Sequence, residues 1–216
     1  MLKDLYIVGA GGFGREVAWL VERINHVNPE WSLKGFIDDN KVLHGTKEGG
    51  YFVVGGCDYL EKLSHTAWVV CAVGAAKIRK KIIKKLNTIS NVSFATLIDP
   101  SVIKSERVTV QEGSIICAGT ILTVDIVIGK HVIINLDCTI GHDDVIHDFV
   151  TIYPSVNVSG NVSVEECAEL GTGMQVIQGR KIGKESIVGA GAVVVRDIPP
   201  KCTAVGSPAK PIKFFE

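Results

Sequence analysis

The chain has no Cys-x-x-Cys pair, no net charge and no apolar run approaching the length of a membrane span. Each absence removes a class of function. Six cysteines, Cys57, Cys71, Cys117, Cys138, Cys167 and Cys202, are scattered, so neither a zinc ribbon nor a disulfide framework is indicated and reduced thiols are expected. Lys plus Arg number 23 and Asp plus Glu also 23, which leaves no electrostatic footprint for nucleic acid or for a membrane surface. A spanning helix needs about 20 consecutive apolar residues, and no such run occurs. Met1-Leu2-Lys3-Asp4 leads straight into an expected strand with no signal-peptide pattern, so the expected location is the cytoplasm. A hydrophobic content of 46 % over 216 residues supports one large domain or two small ones.

What the chain does have is a repeat. Every sixth residue from Val110, through Ile116, Leu122, Ile128, Ile134, Ile140, Ile146, Ile152, Val158, Val164, Leu170, Val176, Ile182 and Val188 to Val194, is aliphatic. A strand repeats every 2 residues and a helix every 3.6, so a sustained period of 6 indicates a solenoid of short strands joined by corners. Gly129, Gly141, Gly171, Gly183 and Gly189 follow the aliphatic position and are read as allowing the backbone to turn there. Val132, Cys138, Val150, Val156, Val162, Ala168 and Ala192, four positions after it, are small or apolar. These features resemble the bacterial hexapeptide-repeat acyltransferases. That resemblance implies a left-handed parallel β-helix, triangular in section, three hexads to a coil, in a homotrimer. Fifteen hexads make five coils about 4.8 Å apart. Lys104 breaks the rule, so Val102 to Thr109 is expected to be a junction or an irregular first coil.

The first hundred residues read differently. Leu5-Tyr6-Ile7-Val8 is an expected buried strand, followed by Gly9-Ala10-Gly11-Gly12-Phe13-Gly14 and an amphipathic helix from about Gly14 to Ile24. A second strand, Leu33 to Ile37, ends in Asp38-Asp39, and a third, Trp68 to Val73, ends at Gly74. A helix from about Ala75 to Leu86 is expected to carry Ile78, Ile82, Ile83 and Leu86 on one face. Its other face, Lys77, Arg79, Lys80, Lys81, Lys84 and Lys85, reads mainly as solvated charge. Phe94 to Asp99 is the expected last strand before the solenoid. A G-x-G-x-x-G loop brings backbone N–H groups and a helix N-terminus to an anion, or else merely permits a tight turn. A dinucleotide site is disfavoured, because only half of a doubly wound domain is present.

Gly9 to Val17, Phe36-Ile37-Asp38-Asp39, Val73-Gly74 with Ile78-Arg79-Lys80-Lys81, Gly141-His142-Asp143 and Val205 to Lys210 together resemble the sugar O-acyltransferase family. Its members are sialic acid O-acetyltransferases and N-acetyltransferases of nucleotide-linked 4-amino-4,6-dideoxy sugars, and the likeness covers essentially the whole chain. It implies an α/β Rossmann-like domain over residues 1–100 that binds the sugar nucleotide. It also implies a β-helix over residues 101–216, with a C-terminal cap, that binds acetyl-CoA. The implied substrate contacts are Gly11, Gly12, Phe13, Asp38, Asp39, Gly74 and Lys77, and the implied acetyl-CoA contacts are Thr151, Thr172 and Ala190. Phe13 stands where many relatives have His, and Lys77 where they often have Asn or Asp, which bears on which sugar or base is accepted. Lys210 is either a contact to the CoA phosphates or part of a cap.

Acetylating an amine with a thioester requires a proton to leave the amine, and imidazole is suited to accept it. His142 is therefore the candidate general base, with Asp143 implied by the resemblance as the acid that makes it more basic. Thr172 and Ala190 are three hexads apart, one coil, and should stack along one edge of the prism. His142 lies five hexads before Thr172, which is not a whole number of coils, so it belongs on another edge. Base and cofactor edge are thus expected to meet across a subunit boundary. Direct transfer is expected, since nothing marks a cysteine as an activated thiolate.

The expected activity is N-acetylation of the 4-amino group of a nucleotide-linked 4-amino-4,6-dideoxy sugar for surface glycans. Sialic acid O-acetylation is the alternative. A γ-carbonic-anhydrase-like zinc enzyme is more distant. His142 and His147 have its five-residue spacing, but Glu106 and Arg107 stand where a third ligand should be, and no metal is expected. A sugar-binding scaffold without catalysis would tolerate loss of His142.

Overall fold

The structure, a computed structural model, describes residues 2–215. The chain begins with β1 (Lys3–Val8), α1 (Gly12–Val27) and β2 (Trp31–Ile37). A stretch in which the sequence pattern marks no element holds β3 (Lys47–Glu48), β4 (Tyr51–Gly55) and the short α2 (Cys57–Glu61). Then come β5 (Ala67–Cys71), α3 (Ala76–Leu86) and β6 (Val92–Phe94). The strands form one sheet in the order β3-β4-β2-β1-β5-β6, parallel throughout except for the β3–β4 pair. The chain leaves β1 toward β2 and returns to the other side of β1 at β5. In an open α/β sheet such a reversal leaves a crevice outside the carboxyl ends of the strands, where ligands bind.

From Leu97 the architecture changes. Among the described residues, seventeen two-residue strands begin every sixth residue, from Leu97–Ile98 to Val193–Val194. Each pairs in parallel with a strand three hexads away, for example Ile115 with Ile133 and Ile133 with Thr151, building three flat sheets. This is the left-handed parallel β-helix. Fourteen of the fifteen aliphatic hexad positions are buried, Val110 being half-buried, and each contributes about 1.5–3 kcal/mol by leaving water. All seven small or apolar positions noted above are buried as well. A hairpin of Cys202–Val205 and Lys210–Phe214 closes the far end.

Two expectations about the junction are corrected. Phe94 to Asp99 is not one strand: β6 ends in the first sheet, and Leu97–Ile98 already pairs with Ile115–Ile116 of the solenoid. Val102 to Thr109 is not irregular either, because Lys104 pairs with Leu122 in register. Lys104 is exposed at this open end of the prism, where no coil covers it and an aliphatic side chain is not required.

The corner glycines also have a different cause from the one expected. Gly129, Gly141, Gly171, Gly183 and Gly189 are absent from the positive-φ residues. A Cβ on Gly141 would lie 2.5 Å from Gly160 N, and one on Gly171 2.6 Å from Ala190 N. They are glycines because the next coil leaves no room. The turning is done two positions later, where every sixth residue from Gly113 to Gly191 has positive φ. Nine of these fourteen are not glycine, among them His131 (φ 54), Asp143 (φ 63) and Phe149 (φ 60).

The two parts are joined across one face of the prism. Ile115 and Ile133 pack with Leu5, Val17 and Trp31 of the α/β part. Arg79 is not on the solvated face of α3: it is 1 % exposed and enters the joint, while Ile78 is 54 % exposed. Of the other expected apolar residues of α3, Ile83 and Leu86 are buried and Ile82 is half-buried. His131 lies in the same joint, edge-on to Phe94 at 4.7 Å and stacked on Phe149 at 5.2 Å, with Nδ1 unpartnered. Burial lowers its pKa from 6.5 to about 4. Its depressed value means that the unfolded chain takes up the proton first. The stability tied to neutral His131 is present above pH 6.5 and lost as pH falls toward 4. The shift corresponds to about 3 kcal/mol. Denaturant melts of His131→Phe should lose that much less than the parent between pH 7 and pH 4, and equal losses would contradict this.

Candidate active site

At the carboxyl ends of β1, β2 and β5 lies a cavity of about 250 Å³ lined by Val8, Gly9, Ile37, Asp38, Asp39, Cys57, Val73 and Ile82. Gly9 has φ 101, and Gly14 is needed because a Cβ there would lie 2.0 Å from Gly9 O, so α1 starts directly against β1. Gly11 faces open space, as does Gly12 apart from the Arg15 guanidinium at the edge of contact, and no side chain caps the N-terminus of α1. Its first N–H groups are thus left without a side-chain acceptor, as an anion site requires. Phe13 is half-buried against the core of the first sheet.

Asp38 and Asp39 hold the cavity wall. Asp38 Oδ2 accepts the Ala10 N–H at 3.1 Å, which ties the glycine loop to the end of β2, and its Oδ1 accepts the Asn40 N–H at 2.9 Å. Asp39 Oδ1 accepts the Cys57 N–H at 2.9 Å and Oδ2 pairs with Lys85 at 3.1 Å. The Cys57 N–H, and after it Lys85, hold this carboxyl below its usual range.

Of the expected substrate contacts, Asp38 and Asp39 line this cavity, and Gly11, Gly12, Phe13, Gly74 and Lys77 are not among the residues lining it. The Gly74 carbonyl accepts from Arg79 Nη1 at 2.9 Å and from Thr151 Oγ1 at 2.6 Å. Lys77 pairs with Glu185 at 2.8 Å, and the Ala76 N–H is taken by Glu169 at 2.9 Å. The first turn of α3 faces the solenoid, which explains why Lys77 is turned to Glu185. It lines a second cavity of about 230 Å³ with Cys167, Ile187 and Phe215.

On the prism, His142 and Asp143 occupy a corner between two faces. Adjacent side chains normally diverge in extended chain, but the left-handed φ of 63 at Asp143 swings its carboxylate back, to 2.7 Å between Oδ2 and His142 Nδ1. A carboxylate only accepts, so Nδ1 carries the hydrogen, and in the neutral imidazole the lone pair is then on Nε2. Both side chains are exposed, at 64 % and 59 %. Behind them Asp144 is fully buried, its oxygens accepting the N–H groups of Gly141 at 3.1 Å and Val162 at 2.7 Å. Burial pushes its pKa up to about 7, against those two donors. Sequence reasoning misses Asp144, although a carboxylate at a hexad position that is otherwise small or apolar, apart from Arg180, is a legible anomaly.

Thr172 and Ala190 stack on another edge, with the Gly191 N–H donating to Thr172 O at 2.9 Å, and both are exposed. Thr151 does not share that edge. It is 1 % exposed and its hydroxyl is spent on Gly74, so its side chain belongs to the joint. Lys210 lies with Arg196 at a cavity of about 230 Å³ beside the closing hairpin. Among the described residues no three His, Cys, Asp or Glu side chains are grouped to hold a metal ion, and no helix is long and apolar enough to cross a membrane.

Residues 4–86 match the family model described as the PglD N-terminal domain. The chain is 29 % identical to the GDP-perosamine N-acetyltransferase of Escherichia coli O157:H7, over 97 % of each chain. It superposes with a TM-score of 0.88 on the acetyltransferase domain of PglB from Neisseria gonorrhoeae FA1090 in complex with acetyl coenzyme A. That domain is 30 % identical, with 98 % of this chain and 100 % of that chain covered. The chain belongs to the PglD-like hexapeptide acetyltransferases. A perosamine N-acetyltransferase from Caulobacter crescentus, a histidine-to-asparagine mutant in complex with CoA and GDP-perosamine, has a TM-score of 0.87. It is 30 % identical over 99 % of this chain and 98 % of that one. This PglD-like acetyltransferase thus has the two-part architecture of relatives solved with both kinds of ligand.

Proposed function

We propose that this acetyltransferase moves the acetyl group of acetyl-CoA onto the 4-amino group of a nucleotide-linked 4-amino-4,6-dideoxy sugar. Residues 1–100 take the nucleotide at the glycine-loop cavity, and residues 101–216 take acetyl-CoA along the Thr172–Ala190 edge. The observation that carries the reading is the oriented His142: its Nδ1 is committed to Asp143 at 2.7 Å, which leaves Nε2 as the acceptor of a proton. The Caulobacter relative, altered at one histidine and holding CoA with a nucleotide amino sugar, supports the choice of reaction.

The amine nitrogen attacks the thioester carbonyl, its proton passes to His142 Nε2, and the N–C bond forms. A backbone N–H stabilises the oxyanion, the C–S bond then breaks, and the proton leaves with the CoA sulfur. Asp143 stabilises the imidazolium that appears on the way. A cysteine relay is disfavoured by chemistry. All six thiols are buried, and burial raises Cys138 to about 11 and Cys71 and Cys117 to about 12, so none forms a thiolate at neutral pH. Because His142 and the Thr172–Ala190 edge are on different corners, a homotrimer in which one chain's base faces its neighbour's cofactor edge completes the site.

A thiol-release assay with acetyl-CoA and UDP-, GDP- and dTDP-linked 4-amino-4,6-dideoxy sugars tests this directly. Turnover of one such sugar is the expected result, whereas turnover of sialic acid alone would overturn it.

A further inference from the structure

The general-base reading, on which this inference rests, does not explain what holds an exposed imidazole still. One hydrogen bond to an equally exposed carboxylate fixes one ring atom and leaves the plane of the ring undecided. We infer that Gly160 is a positioning residue for the base, the seat on which the His142 ring lies.

Gly160 follows His142 by three hexads and so occupies the same corner one coil on. A Cβ built on it would lie 2.4 Å from His142 Nε2, 2.6 Å from Cε1 and 2.7 Å from Cδ2, so the ring covers the bare Cα of residue 160. The backbone does not demand glycine here, since Gly160 is not among the positive-φ residues. The main chain around the base is already pinned. The Asn161 N–H donates to His142 O at 2.7 Å, and buried Asp144 ties Gly141 to Val162. With the corner held to the next coil on both sides, the His142 side chain is the one part still able to move, and residue 160 decides where it goes.

A methyl group at residue 160 therefore displaces the ring rather than the coil. At Gly183 the atom that a Cβ would meet is backbone, Pro200 N at 2.3 Å, and the coil itself would have to shift. At Gly160 the atoms met are the far end of an exposed side chain. Swinging aside moves Nε2 from the attacking amine while leaving both substrate sites in place.

The test measures kcat, both KM values and the melting temperature of Gly160→Ala, alone and combined with His142→Ala. The expected result for Gly160→Ala is a kcat lower by at least about tenfold, with KM values within about threefold, because misplacing a reacting group costs rate rather than binding. Combined with His142→Ala, the same substitution should lower the residual rate by less than about twofold, since a seat has no effect once its occupant is gone. Unchanged kcat in Gly160→Ala beside an inactive His142→Ala would overturn the inference and leave the general base standing. So would a tenfold further loss in the double variant, or a Gly160→Ala protein that fails to fold, either of which would make residue 160 a packing position. Full activity of His142→Ala would instead remove the general-base reading itself.

Discussion

His142→Ala should lower kcat for the amino-sugar substrate by about 10²- to 10⁴-fold while KM for acetyl-CoA changes little, the usual worth of a positioned general base. The reason lies in the geometry. Nε2 is the ring nitrogen not committed to Asp143, and Thr172 and Ala190, on another corner, are untouched by its loss. Asp143→Asn should fall between the parent and His142→Ala, because the ring keeps its place and loses only the charge that stabilises the imidazolium. Steady-state rates from thiol release check both, and a His142→Ala enzyme within threefold of the parent would exclude the base. If the site is shared, mixing His142→Ala chains with chains blocked at the cofactor edge by Ala190→Trp should restore part of the activity. Each mixed trimer then contains one intact pairing.

Arg79→Met should destabilise the protein by about 3–5 kcal/mol, the cost of breaking a buried, fully hydrogen-bonded charge. The guanidinium uses all five of its donors on carbonyl oxygens: Nε on His131 at 2.9 Å, Nη1 on Val73 at 2.7 Å and Gly74 at 2.9 Å, Nη2 on Phe149 at 2.7 Å and Val150 at 3.1 Å. Among the described residues no carboxylate is paired with it. Burial lowers its pKa to about 10, which still leaves it charged at pH 7, held by carbonyl dipoles alone. Methionine fills much of the space but leaves the carbonyls of His131, Val73 and Phe149 without a partner, while Gly74 O keeps Thr151 Oγ1 and Val150 O keeps the Ile133 N–H. Lysine, with three donors and no planar fork, should not rescue it. Urea unfolding checks this, and a loss under 1 kcal/mol would mean that water replaces the guanidinium.

The two substitutions separate function from assembly. His142 stands on an exposed corner and should change rate without changing the melting temperature. Arg79 bridges α3 to the carbonyls of two successive corners and should change stability first.

Much is legible in the sequence because the solenoid repeats one local burial pattern. An aliphatic residue every six positions needs no distant partner to be recognised, and the three-hexad coil that the family resemblance implies puts Thr172 with Ala190 and His142 on a separate edge. The glycine loop likewise announces itself through Gly9 and Gly14, whose reasons are local to one strand and one helix. Residues whose roles depend on a contact between the two parts are misread from sequence. Arg79 looks like one of six solvated cations on α3, because sequence spacing says which residues share a helix face but not which face meets a neighbour. The pairing of Lys77 with Glu185 and of the Thr151 hydroxyl with Gly74 O are further contacts between the two parts that no spacing in the sequence announces.

By itself the sequence determined the period of six, hence a solenoid of short strands, the strand-loop-helix unit at the glycine loop and the adjacency of His142 and Asp143, since each rests on residues close in the chain or related by a fixed repeat. Only the tertiary structure decided that the corner glycines answer to the next coil rather than to φ, that the left-handed turn falls on Asp143, and that α3 spends its cation on the joint. These depend on distances between atoms far apart in sequence, and packing density, not periodicity, sets those distances.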